Sequence, residues 1–178
     1  MEAEVQELLD KQALYELVVR YCRAVDRADP ELLLSIYHED AIDEHGPMGG
    51  TPQQFLESLS QGTMNIEKRP LPVQHAVSNC LFEIHGDVAY GEAYAEVRRV
   101  DDEGRMFVEG FARFADRFER RGGVWKFVHR RALLEYAGGP GGRHAFDEWL
   151  TGTRDRTDPT YERDAEHLPP AGIAFAGT

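Results

Sequence analysis

The apolar positions near the start of the chain recur at helical spacing. Leu14, Val18 and Cys22 fall every fourth residue and lay one apolar stripe along a helix from about residue 3 to 27. Asp26 is the next position of that stripe. Asp29 and Pro30 then supply an N-cap and a first-position proline for a short second helix, with the apolar run Leu32, Leu33, Leu34, Ile36 and Tyr37. A short strand is predicted near 40–45, then a turn at the Gly and Pro cluster before residue 51. Thr51 and Pro52 open a third helix carrying Phe55, Leu56 and Leu59. From about residue 71 the pattern changes to strands. Four long runs, 72–85, 87–100, 105–120 and 124–137, are separated by turn signals such as Arg121-Gly122-Gly123 that suit antiparallel hairpins. Gly91 and Gly110 inside these runs are predicted bulge or bend sites.

Three helices followed by a meander of long strands predict an α+β domain over residues 1–137. A strongly bent sheet would wrap the helices and leave a cone-shaped cavity between them. Residues 138–178 differ: they hold 11 of the 26 Gly and Pro residues, which predicts an extended arm. Gly138-Gly139-Pro140-Gly141-Gly142 reads as its hinge, and a helical turn is expected near 144–150 with Phe146, Trp149 and Leu150. Such aromatics need a surface to cover, either the domain's own cavity mouth or a neighbouring subunit.

Composition narrows the partners. The chain has 178 residues, 42% hydrophobic and 29% charged, as in one globular domain. A formal net charge of −12 argues against nucleic acid or an anionic membrane as partner and leaves a small neutral substrate open. No basic region precedes an apolar run at the N-terminus, so no signal peptide is expected, and no stretch suits a membrane span. Cys22 and Cys80 lie in apolar patterns without a CxxC, as expected of reduced thiols in a cytoplasmic protein.

Two residues far apart in the chain carry the candidate chemistry. Asp26 continues an apolar helix face, so its carboxylate must be paired or hydrated at a cavity mouth. His75 shares a strand face with Val73, Val77 and Leu81, so its imidazole points where the apolar side chains point. A carboxylate on one ring nitrogen fixes the tautomer and leaves the other nitrogen as a base. The competing reading is structural: Asp26 paired with Arg23 or Arg27, and His75 a core histidine. Tyr21 lies about 140° from Asp26 around the helix and reads either as core or as lining a wide pocket. Arg130, between Val128 and Ala132, faces inward and needs an acidic partner or a substrate. Asp43 and His45 share a strand face. His38, Glu39, Asp40, Asp43 and His45 match neither HExxH nor an EF-hand loop, which speaks against a metal site. The chain has no GxSxG, no P-loop and no GxGxxG after a strand.

The order of these features resembles the SnoaL-like branch of the nuclear transport factor 2-like superfamily. The features are Tyr21 and Asp26 on the first helix, Tyr37-His38-Glu39-Asp40-Ala41, Asp43-x-His45-Gly46, the strand histidine at 75, and Gly123-Val124-Trp125-Lys126-Phe127 in the last strand. Within that branch the chain is most similar to the scytalone dehydratase, hexachlorocyclohexane dehydrochlorinase and bile-acid dehydratase group. Pro170-Ala171-Gly172-Ile173-Ala174-Phe175 also resembles the dehydrochlorinase ending. The resemblance implies a cystatin-like α+β cone, commonly a homotrimer, needing neither metal nor organic cofactor. It implies an Asp26–His75 catalytic dyad, with Tyr21 and Arg130 assisting and Asp43 and His45 in the substrate pocket. Asp43 stands where the dehydrochlorinase has a pocket tryptophan, which favours an oxygenated ring over a polyhalogenated one.

The expected function is a cofactor-independent lyase acting on a cyclic or polycyclic small molecule, with His75 removing a proton from carbon and water leaving. The same dyad could serve an isomerase or a polyketide-type cyclase. The alternative of another class is a non-catalytic binding or assembly module, in which Asp26 and His75 form a buried structural pair.

Overall fold

The computed structural model of the protein describes residues 2–65, 72–139, 142–143, 147–164 and 167. Its first helix, α1 (Glu2–Asp26), buries the predicted stripe of Leu14, Val18 and Cys22 together with Tyr21 and Val25. Ala28, with φ +50°, turns the chain out of the helix, and the Asp29 amide bonds back to the Ala24 carbonyl at 2.8 Å. Asp29 then caps α2 (Pro30–Ser35) by accepting from the Leu32 amide. A reciprocal capping box between Thr51 and Gln54 opens α3 (Pro52–Gln61).

Tyr37 departs from the expected pattern. It opens β1 (Tyr37–Glu44) and does not extend α2. The reason is tertiary: β1 pairs in parallel with the last long strand, and the Tyr37 ring packs 5.2 Å from that of Phe127. A local helical run cannot reveal a partner ninety residues away. The four predicted long strands are β2 (Val73–His85), β3 (Val88–Val100), β4 (Met106–Arg121) and β5 (Val124–Gly139). They form an antiparallel meander, and the sheet order is β1-β5-β4-β3-β2. Gly138 and Gly139, expected in a hinge, complete β5 and pair with the short β6 (Gly142–Arg143).

The pairing register breaks between Ser78 and Leu81 in β2, and beside Gly110 where β4 meets β3. Such breaks bend a sheet, so Gly110 sits where a bend was expected. Gly91 does not: it keeps regular partners in Phe82 and Asp116. What it provides is close approach, since a Cβ there would lie 2.8 Å from Phe82 Cδ1 and 3.0 Å from Phe118 Cε2. Gly91→Ala is expected to destabilise the fold by about 1–3 kcal/mol through overpacking, measured as a lower urea midpoint with unchanged slope.

The inner face of the sheet carries Phe82, Phe114, Phe118, Trp125 and Phe127, which pack against the α1 stripe and against Phe55, Leu56 and Leu59 of α3. The result is the α+β cone expected from the sequence. Among the described residues no helix is long and apolar enough to cross a membrane.

Farther along the tail, residues 158–164 pack on the outer face of the same sheet. Asp158 is buried and grips the Arg113 guanidinium of β4 through both oxygens, and Arg113 also bonds Glu92 of β3 at 2.9 Å. Farther on, Arg163 pairs with Glu83 of β2 at 2.8 Å and Tyr90 donates to Asp164 at 2.9 Å. The Arg113 and Thr160 hydrogen bonds hold the Asp158 carboxyl well below the usual carboxylate range, against the opposing effect of burial. A depressed native pKa means that this stabilisation is complete above about pH 4 and is lost as the pH falls through the native value. Asp158→Asn should therefore lower Tm at neutral pH, with the gap from wild type closing progressively below about pH 4. Of the helical turn predicted near 144–150, residues 144–146 lie outside the described residues, and 147–150 form a turn and bend with no helix; the segment Pro170–Phe175 also lies outside the described residues.

Candidate active site

Between α1, α3 and the inner face of the sheet lies a cavity of about 280 Å³. Tyr21 and Val25 of α1 line it, with His45 and Met48 after β1, Leu59 of α3 and His75 of β2. Arg99 of β3, Glu109 and Gly110 of β4, and Leu134 and Ala137 of β5 complete the sheet side, and Trp149 of the tail covers one flank.

The Asp26 carboxylate meets His75 as the sequence suggested. His75 Nδ1 lies 2.6 Å from Asp26 Oδ1. The His75 backbone amide also points at the carboxylate, 3.1 Å from each oxygen. An ionised carboxylate only accepts, so Nδ1 supplies the proton of this contact, and in the neutral imidazole the free lone pair is on Nε2. The side chains of His75 and Asp26 are 9% and 14% exposed, enough shelter to keep the pair desolvated beside a cavity. Register fixes this placement: β2 docks against α1 and its alternation through Val77 turns His75 inward, whereas the register break between Ser78 and Leu81 leaves Leu81, expected on the same face, exposed and buries Phe82 instead.

Tyr21 stands in the same cavity, despite its angle from Asp26 on the helix. Its ring centroid lies 6.4 Å from that of His75 and 6.2 Å from that of His45. Burial, reinforced by the nearby Asp43 charge and opposed by Arg130, holds its phenol well above the ordinary tyrosine range. It is therefore a neutral hydrogen-bond donor. Cys22, one residue on, is pushed up to about 12 by burial and is no nucleophile.

Asp43 and His45, both expected in the pocket, form a second pair of which only His45 lines the cavity; Asp43 stands behind it. Asp43 is wholly buried, and its Oδ1 lies 3.0 Å from His45 Nδ1. Its Oδ2 accepts the Tyr37 hydroxyl at 2.6 Å. Tyr37 went unrecognised as a site residue because its strand assignment depends on the β1–β5 pairing. Of the other acidic and histidine side chains in this stretch, His38 bonds the Glu119 carbonyl and Asp40 pairs with Arg121, so they turn away from the site.

Arg130 is where the structure corrects the sequence reading. Its guanidinium is fully buried and does not line the cavity. Nε and Nη2 bond the two oxygens of Asp116 at 2.8 and 2.7 Å. The guanidinium stacks on Tyr21, Phe114 and Phe127 at 4.2, 4.1 and 4.3 Å. Inward-pointing on β5 means deep in the core here, behind Tyr21. The polar end of the cavity belongs instead to Arg99, whose Nε lies 2.6 Å from Glu109 Oε2. These two face each other across the β3–β4 hairpin, and strand alternation from Val97 could have found Arg99.

The tail's Trp149 packs edge-on to His45, 5.3 Å between centroids. It also lies flat on Gly46, where a Cβ would approach Trp149 Cδ2 to 2.6 Å and φ is +57°. Only glycine satisfies both demands. Trp149 thus lines the cavity of its own chain.

Residues 6–131 match the SnoaL-like domain family, and the chain belongs to it. Its fold is shared by several solved structures. LinA, a hexachlorocyclohexane dehydrochlorinase, is 25% identical with a TM-score of 0.67, the match covering 80% of this chain and 97% of LinA. A candidate scytalone dehydratase from Novosphingobium aromaticivorans is 17% identical with a TM-score of 0.67, covering 84% and 97%. A nuclear transport factor 2-like protein with a cystatin-like fold, from the same organism, is 20% identical with a TM-score of 0.67, covering 75% and 87%. No curated protein is significantly similar in sequence.

Proposed function

We propose that the protein is a lyase that needs no cofactor and eliminates water from a cyclic or polycyclic, oxygenated small molecule. The observation that carries this reading is His75: Nδ1 is held by Asp26 at 2.6 Å, and the ring lines a mainly apolar cavity. Nε2 takes a proton from carbon, and Asp26 balances the imidazolium that forms. The electron pair of the broken C–H bond becomes the new double bond, and the C–O bond breaks on the neighbouring carbon. Tyr21, neutral and desolvated, is placed to donate to a carbonyl or departing oxygen. Arg130 acts through Tyr21, fixing its ring from behind. The names dehydrochlorinase and dehydratase among proteins of the same fold support elimination as the reaction type. Arg99 and Glu109 suit a polar substituent at the far end of the substrate.

The test is conversion of 3-hydroxycyclohexanone to cyclohexenone, followed by enone absorbance. Wild type is expected to accelerate it above buffer, and His75→Gln to abolish the acceleration. Equal rates in wild type and variant would sink the proposal.

A further inference from the structure

We infer that His45 is a second proton-transfer residue of this cavity: the acid that protonates the departing oxygen. The inference rests on the elimination reading above and adds a group that the Asp26–His75 pair does not supply. Two imidazoles line one cavity, and each is held through Nδ1 by its own carboxylate, Asp26 for His75 and Asp43 for His45. Two carboxylate-oriented histidines beside one ligand space are more than a single base requires.

The surroundings of His45 suit a donor. Asp43 has no exposure at all, and its other oxygen already accepts from Tyr37. A buried carboxylate needs a partner that donates, and an imidazolium at His45 both donates and neutralises it. With Nδ1 committed to Asp43, Nε2 is the atom left for the cavity, and it lies 3.5 Å from the Tyr21 hydroxyl. That separation is a weak direct contact, yet two donors so spaced converge on a single oxygen placed beside them. The aromatic rings of Phe55 and Trp149, 5.0 and 5.3 Å away, restrict water around His45.

Nε2 of His75 receives the carbon-bound proton, and the C–H electrons form the double bond. The C–O electrons leave with the oxygen, which takes the proton from His45 Nε2 and departs as water. His75 ends as imidazolium and His45 as imidazole, and exchange with solvent restores both. The consequence is selectivity for a poor leaving group. Hydroxide needs this proton; a stabilised phenolate does not.

The experiment compares two probes in each protein. 3-Hydroxycyclohexanone must expel a hydroxyl group, whereas 5-nitrobenzisoxazole loses a carbon-bound proton to a base and opens to a stable phenolate. The readout is the ratio of the two rates. His45→Gln is expected to lower the hydroxyketone-to-benzisoxazole ratio about 10²–10⁴-fold, the usual span for a general acid. His75→Gln lowers both rates. A His45→Gln ratio within about threefold of wild type overturns the inference and leaves the base reading standing. So does benzisoxazole turnover by a wild type that shows none with the hydroxyketone. A variant that merely misfolds loses both rates together, and Tyr37→Phe then decides: it removes only the hydroxyl on Asp43 and must shift the ratio in the same direction. An unchanged Tyr37→Phe ratio in that case also overturns the inference. Absence of turnover of both probes by wild type sinks the base reading as well.

Discussion

His75→Gln is expected to lower elimination about 10²–10⁴-fold, the usual contribution of a positioned general base, while the far-ultraviolet spectrum stays that of the wild type. The glutamine amide keeps a donor for Asp26 but offers no basic lone pair to the cavity. Asp26→Asn should fall in the same range for a different reason. The Asn oxygen still accepts the His75 backbone amide, now 3.1 Å from each carboxylate oxygen. What is lost is the negative charge beside Nδ1, and with it the fixed tautomer and the balance for an imidazolium. Because the two act as one device, the double variant should be little worse than either single one. Steady-state kinetics on the three variants checks this. Additive losses would mean that the residues work independently.

Breaking the Arg130–Asp116 pair is expected to have the largest effect on stability. Both side chains are essentially without exposure, at 0% and 1%, so neither can fall back on water. Removing one partner of such a pair costs about 3–5 kcal/mol. Asp116→Asn strands the guanidinium in the core. Arg130→Met strands the carboxylate and also removes the cation from the faces of Tyr21, Phe114 and Phe127. Replacing both with apolar residues of similar volume, as in Arg130→Met with Asp116→Leu, should cost much less than either single change. Urea unfolding of the four proteins gives the comparison. A single variant of wild-type stability would show that the pair carries little. Activity in the double variant should fall by less than in His75→Gln, because Arg130 reaches the cavity only through the Tyr21 ring.

What could be read from the sequence was what periodicity encodes. The α1 stripe placed Asp26 at the inner end of a helix, and strand alternation turned His75 toward it. The capping residues Asp29 and Thr51 set the starts of α2 and α3 because caps are local chemistry. Long-range pairing was not legible. Tyr37 continued an apolar helical run, and only its parallel pairing with β5 makes it a strand residue able to reach Asp43. Arg130 shows a second limit. Alternation says which face a side chain takes but not how deep it lies, and so an inward arginine was expected in the pocket and stands instead beneath it. Trp149 shows a third. Composition said that the tail's aromatics need cover, and only the closeness of Trp149 to Gly46 says where this one finds it.

Proton abstraction by His75 requires its ring proton on Nδ1, toward Asp26, and a bare Nε2 facing the cavity. Long-range ¹H–¹⁵N correlation spectra of protein labelled at histidine report the tautomer of each neutral imidazole directly. Signals of His75 are identified by their loss in His75→Gln. The Nδ1–H tautomer is expected for His75 in wild type, with loss of that preference in Asp26→Asn. An Nε2–H tautomer in the wild type would contradict proton abstraction by His75, because the ring atom facing the substrate would then be a donor with no lone pair to accept a proton.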